Sequence, residues 1–297
     1  MKNQYVGDIG DFGKYALLRA FAKTGVKVGV NWYLTEDDTS NDGKFTDYLK
    51  KDDFRRHAPE VFDELKKIAD IRDKSVKNVE ESGIIPEAVF YSDLLNPLGK
   101  PDDREQERNA WFLESTYELA NSELIYLDPD NGLLEESEPR KRGAEKYALP
   151  DEVEQYYRAG HNVVYYCHKG RRKMGAWFDY KSIMCKALPD AKPIVLTYHK
   201  GTQRSYVFLV HPEYYQKYRN IIERFMGNWR DIFDEEYTNK GDLAREPVGD
   251  KFMVEKSDGS VFTIFKRADG WIQIESSASK NTSIAIKPDD FCRRLWN

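Results

Sequence analysis

Leu124-Ile125-Tyr126-Leu127 is an unbroken apolar run that stops dead at Asp128-Pro129, and no other feature of the chain constrains its fold as much. A strand that is apolar on both faces must be covered on both faces, the situation of a central strand in a parallel sheet. Parallel neighbours need long crossovers, so helices should alternate with strands. Apolar periodicity supplies both kinds of element. Strands are expected at 26–34, 88–91 and 162–167, with helices at 11–24, 61–79, 107–119, 150–159, 174–188 and 213–225. Two more strands, 194–198 and 206–210, are separated by seven residues, too few for a helical crossover, so they pair antiparallel. The expectation is a doubly wound, Rossmann-like α/β sheet over residues 1–246, mostly parallel with an antiparallel hairpin. Residues 247–297 change character: short strands at 252–255, 261–265, 271–274 and 283–286, with turns at Asp258-Gly259 and Asp269-Gly270, predict a small β-meander appendage.

Composition narrows the class. A chain of 297 residues with 40% hydrophobic and 33% charged residues has the profile of a folded globular protein rather than a disordered one. Its apolar runs, such as Val163-Val164-Tyr165-Tyr166-Cys167, are far shorter than the roughly 20 residues of a membrane span, so no membrane partner is expected. Charged Asp8 and Asp11 soon after the start leave no secretory pattern, and the expected location is cytoplasmic. Cys167, Cys185 and Cys292 are scattered and odd in number, which predicts reduced thiols rather than a disulfide framework or zinc ribbon. A net charge of −5 argues against a generally basic nucleic-acid coat while leaving room for local basic patches.

Three segments carry candidate chemistry. In Asp128-Pro129-Asp130-Asn131-Gly132 the proline fixes the chain and the glycine allows an unusual turn. The two acids and the amide there can accept from an exocyclic amine or ligate a divalent cation; the same residues also suit a plain strand-ending turn. Gly7-Asp8-Ile9-Gly10-Asp11-Phe12-Gly13-Lys14 opens a helix with three glycines and two acids, a place for close backbone approach to a ligand or simply a capped helix start. Cys167-His168-Lys169-Gly170-Arg171-Arg172-Lys173 follows the next strand, where Lys169, Arg171 and Arg172 suit a phosphate and His168 suits acid–base work. His199 lies in the link between the two antiparallel strands, which otherwise reads as an ordinary polar hairpin. The polar loop at 35–43 and Asp93, each after a strand, complete the expected rim.

Gly7-Asp8-x-x-Asp11-x-x-Lys14 resembles the N-terminal Gly-Asn-x-x-Asp-x-x-Lys motif of the large-subunit ribosomal RNA adenine-amino methyltransferases, and Asp128-Pro129-Asp130-Asn131 resembles their Asp-Pro-Pro-Tyr. The resemblance covers residues 5–19 and 124–132. Asp8 replaces asparagine, and Asp130-Asn131 replaces proline and a base-stacking tyrosine. What the resemblance implies is a class I methyltransferase fold and S-adenosylmethionine as cofactor, with Gly7, Asp8, Asp11 and Lys14 on the cofactor side; Asp93, by its place after the strand at 88–91, could bond an adenosine group on the same rim. It further implies that Asp128, Asp130 and Asn131 hold the amine of a nucleic-acid base. Two other expectations stand beside it. One is a phosphodiesterase or nuclease in which Asp8, Asp11, Asp128 and Asp130 share Mg or Mn. The other is a nucleotide- or partner-binding module without turnover.

Overall fold

The computed structural model describes residues 1–39, 45–236, 251–255, 261–266, 271–276 and 283–286. One mixed sheet contains β1 (Val28–Asn31), β2 (Val89–Tyr91), β3 (Leu124–Leu127), β4 (Asn162–His168), β5 (Lys192–Tyr198), β6 (Arg204–Val210) and β7 (Phe233–Glu236). Their spatial order is β2-β1-β3-β4-β6-β5-β7. The first four strands are parallel to one another. Strand β6 runs antiparallel to both β4 and β5, and β7 runs antiparallel to β5.

Helices cover both faces. On one lie α1 (Ile9–Ala22), α2 (Pro59–Ala69), α3 (Val76–Glu81) and α8 (Tyr215–Met226); on the other lie α4 (Pro101–Glu118), α5 (Pro150–Arg158), α6 (Met174–Lys181) and α7 (Ile183–Ala187). Side chains alternate across a strand, and the two cores divide accordingly. Leu124, Tyr126, Val164, Tyr206 and Phe208 join the α1 side, while Ile125, Leu127, Val163, Tyr165 and Val207 join the α4–α7 side. The chain reverses direction of winding between β1 and β3, and ligands of open α/β sheets sit at the carboxyl edge near such a point.

A second sheet holds β8 (Lys251–Glu255), β9 (Val261–Lys266), β10 (Ile272–Ser276) and β11 (Ser283–Ile286), an antiparallel meander in the order β11-β10-β9-β8. The Asp258-Gly259 and Asp269-Gly270 turns and Cys292 lie outside the described residues. Among the described residues, no helix is long and apolar enough to cross a membrane.

The structure adds to the sequence reading at three places. The expected antiparallel pair is present, but its second strand β6 is the one beside β4, and β7 pairs on the outer edge of β5. The single helix expected at 61–79 is two. Asp70-Ile71-Arg72-Asp73-Lys74 offers little to bury, and Ser75 starts a new helix by a reciprocal capping box with Asn78. Strand β7 arises from Phe-Asp-Glu-Glu, a sequence without strand character, because Phe233 packs on Tyr198, Phe225 and Trp229.

Candidate functional site

A cleft of about 280 Å³ opens at the carboxyl edge of β3 and β4, walled by the start of α1, the turn after β3 and the start of β6. Asp8, Asp11, Lys14, Asp128, Asp130, Asn131 and His168 all line it. The antiparallel sense of β6 matters here: its first residues, Arg204 and Tyr206, reach the same rim as the last residues of its parallel neighbours.

Helix α1 enters through Asp8, whose carboxylate accepts from the Gly10 amide at 2.8 Å and the Phe45 amide at 3.1 Å. Asp8 is therefore a helix cap, with its charge at the favourable end of the helix dipole. Gly7 does not line the cleft. It turns the chain with φ +86° and donates its amide to Asp11 at 2.9 Å. One turn into the helix, buried Lys14 reaches Asp11 at 2.8 Å and, 114 residues away, Asp128 at 2.7 Å. Burial alone would push the ammonium down; the two carboxylates more than offset it and hold Lys14 above its ordinary value. Burial also pushes the Asp11 carboxyl up, in spite of Lys14.

The second oxygen of Asp128 accepts from the Tyr126 hydroxyl at 3.0 Å, so both of its oxygens are engaged within the protein. Asp130 is similarly held, by Thr35 at 3.2 Å and by the Met1 ammonium at 2.8 Å. Two acceptors on the turn remain unengaged: the Pro129 carbonyl and the Asn131 side chain have no hydrogen-bond partner among the described residues. Gly132, at φ +96°, is obligatory, since a Cβ there would lie 2.7 Å from the Tyr180 hydroxyl and 3.1 Å from the β4 backbone. The turn is thus pressed onto β4, and both residues that carry the free acceptors line the cleft.

On the far wall, β4 and β6 present two cross-strand pairs, Tyr166 opposite Tyr206 and His168 opposite Arg204. The Tyr166 hydroxyl is 3.2 Å from His168 Nδ1. Burial first, then the charges of Arg204 and Arg172, lower the His168 pKa below its ordinary value, which leaves a neutral imidazole at neutral pH.

The remaining expected residues stand elsewhere. Asp93 is exposed, and its carbonyl accepts from the Trp111 indole at 3.0 Å. Tyr33, Tyr91 and Trp111 pack on one another beneath it, near the ends of β1 and β2. Lys169 bonds Gln203 at 3.0 Å, Arg171 is exposed, and Arg172 stacks on Tyr180 while approaching Glu135. None of the three lines the cleft, because the chain folds toward α6 once β4 ends. His199 pairs with Asp234 at 2.7 Å, between β5 and β7. The loop expected as a rim wall reaches Gln4 through Asp37 and Asp38, and residues 40–44 are outside the described ones.

Sequence reasoning missed Tyr5, Phe45, Tyr166, Thr202, Arg204 and Tyr206 as lining residues. The signal for the last two was present: in an antiparallel strand next to parallel ones, the first residues face the ligand edge. Among the described residues, no group of three or more His, Cys, Asp or Glu side chains is placed to hold a metal ion. Where Asp11 and Asp128 converge, Lys14 already supplies the positive charge. No family model matches the chain, and no curated protein matches it as a relative.

Proposed function

We propose that this chain is a Rossmann-like, S-adenosylmethionine-dependent methyltransferase-like protein that receives the amine of a nucleic-acid base in the cleft. One observation carries the reading: the two segments that bear the resemblance, 114 residues apart, meet in one cleft through the Lys14–Asp128 contact. The cofactor, when bound, would supply an electrophilic methyl group. The chain's own part is positional. The Pro129 carbonyl and Asn131 side chain accept the two N–H bonds of the amine and so aim its lone pair. Asp128 holds the turn through Lys14 and Tyr126 rather than touching the amine. Neutral His168 takes the proton that the nitrogen must lose once it has formed its new bond. The free acceptors of the turn fit a ligand with donors, and the tyrosines of the far wall give apolar faces to a ring system.

Calorimetric titration with S-adenosylmethionine and S-adenosylhomocysteine tests this. Saturable binding is expected for the wild type, with turnover of an amine substrate reduced in Asn131→Ala. No binding of either compound to a folded protein sinks the reading. A second reading, retention of a nucleotide without turnover, is favoured by the engagement of both Asp128 oxygens within the protein.

A further inference from the structure

Tyr206 lines the cleft and is only 1% exposed, and its buried hydroxyl has no hydrogen-bond partner among the described residues. Buried hydroxyls are seldom left so, since an unmade hydrogen bond costs more than a made one gains. Its neighbour two residues back, Arg204, is incompletely satisfied as well. Nε and Nη2 donate to Thr202 at 3.1 Å each, Asp8 stands 3.8 Å from Nη2, and Nη1 has no partner among the described residues.

The placement of Arg204 is also electrostatically odd. Its guanidinium lies against the first turn of α1, so close that a Cβ on Gly10 would fall within it. A cation at the positive end of a helix dipole is unfavourable on its own. Asp8 compensates only in part, because both of its oxygens already accept backbone amides. Two donors without acceptors and two positive features without a full counter-charge converge on one wall.

We infer that Arg204 and Tyr206 form an anion subsite that takes a carboxylate or phosphate group of the cleft ligand. Arg204 provides the charge and a planar fork, and Tyr206 provides a second donor on the same face of β6. The opposite wall offers acceptors, so the ligand carries donors at one end and a single anionic group at the other. That pairing of ends rests on the reading of the turn as an amine site; the anion subsite stands on β6 alone. Two sources share this chemistry: the phosphate of a nucleoside monophosphate and the carboxylate of an amino-acid tail on an adenosine-type cofactor.

Matched pairs of probes separate them. Adenosine against AMP reads the phosphate, and methylthioadenosine against S-adenosylhomocysteine reads the amino-acid tail. In at least one pair the member that carries the anionic group, phosphate or carboxylate, is expected to bind more tightly, and Tyr206→Phe to reduce that advantage about 10- to 100-fold, the range for one hydrogen bond to a charged group. The variant loses no bond in the free protein, so its unfolding temperature should hold or rise. Arg204→Gln should abolish the advantage. A preference in neither pair, or one that survives both substitutions, overturns the subsite. Asn131→Ala reports the other end: if it leaves affinity unchanged while Tyr206→Phe weakens it, the subsite stands and the amine reading falls.

Discussion

Replacing Lys14 by methionine keeps the unbranched chain up to Cε and deletes the charged nitrogen at a point where α1 is tied to the end of β3. In the native protein the ammonium sits 2.8 Å from Asp11 and 2.7 Å from Asp128, and all three side chains are at most 7% exposed. Removing one member of a buried ionic cluster and leaving the others costs about 3–5 kcal/mol, which for a domain of this size lowers the unfolding temperature by roughly 6–20 °C. The loss has a pH signature. Burial already raises the Asp11 pKa, and the opposing pull of Lys14 disappears in the variant. A carboxyl whose folded pKa lies above its unfolded value binds more protons when folded, so its contribution is full at low pH and is lost as pH rises through the folded pKa. Relative to the wild type, Lys14→Met should therefore lose more stability as the pH rises and recover as it falls. Urea unfolding of both proteins across pH 5–8 reads this directly, and adding Asp11→Asn to the variant should restore part of the loss at pH 7. A deficit below about 1 kcal/mol, or one independent of pH, would mean that the ammonium is not enclosed between the two carboxylates.

Two other substitutions probe the walls of the cleft. Gly132→Ala forces a Cβ into a positive-φ position against Tyr180 and β4, and is expected to cost about 1–3 kcal/mol from the backbone alone; thermal denaturation indistinguishable from wild type would contradict the pressed turn. His168→Asn removes a group whose folded pKa lies below its ordinary value. The unfolded chain then binds more protons between that lowered value and about 6.5, so wild-type stability relative to the variant should be full above pH 6.5 and fall as the pH drops through this window; a constant difference in urea midpoint would count against desolvation of the ring.

How much was legible in the sequence differs from element to element. Strand β3 and its turn were plain because an apolar run that ends at Asp-Pro leaves one structural option, and the tail strands were plain because alternation and punctuation agree. The position of β6 was not legible: a short link shows which strand pairs on one edge and says nothing of the other. Strand β7 escaped notice because one buried phenylalanine, rather than a pattern, holds it in the sheet. At the site, the acids and Lys14 stood out by residue type, but their ion pairing depends on a contact across 114 residues that no local pattern encodes. Arg172 misled for the opposite reason. Its charge suggested a ligand, and Tyr180 took the guanidinium face instead.

The Tyr198 hydroxyl donates to the Ile9 carbonyl across 189 residues, and Arg204 lies against Gly10 in the same seam. The beginning of the described chain thus waits for β5 and β6 to be made before its first helix has a complete neighbour. During synthesis the cleft cannot exist until β6 (Arg204–Val210) has left the ribosome, and loop-closure entropy makes such distant closures late and slow. Ligand capture by a nascent or truncated chain would then serve as a clock for the final docking step, with chains arrested before β5 silent and those released after β6 competent.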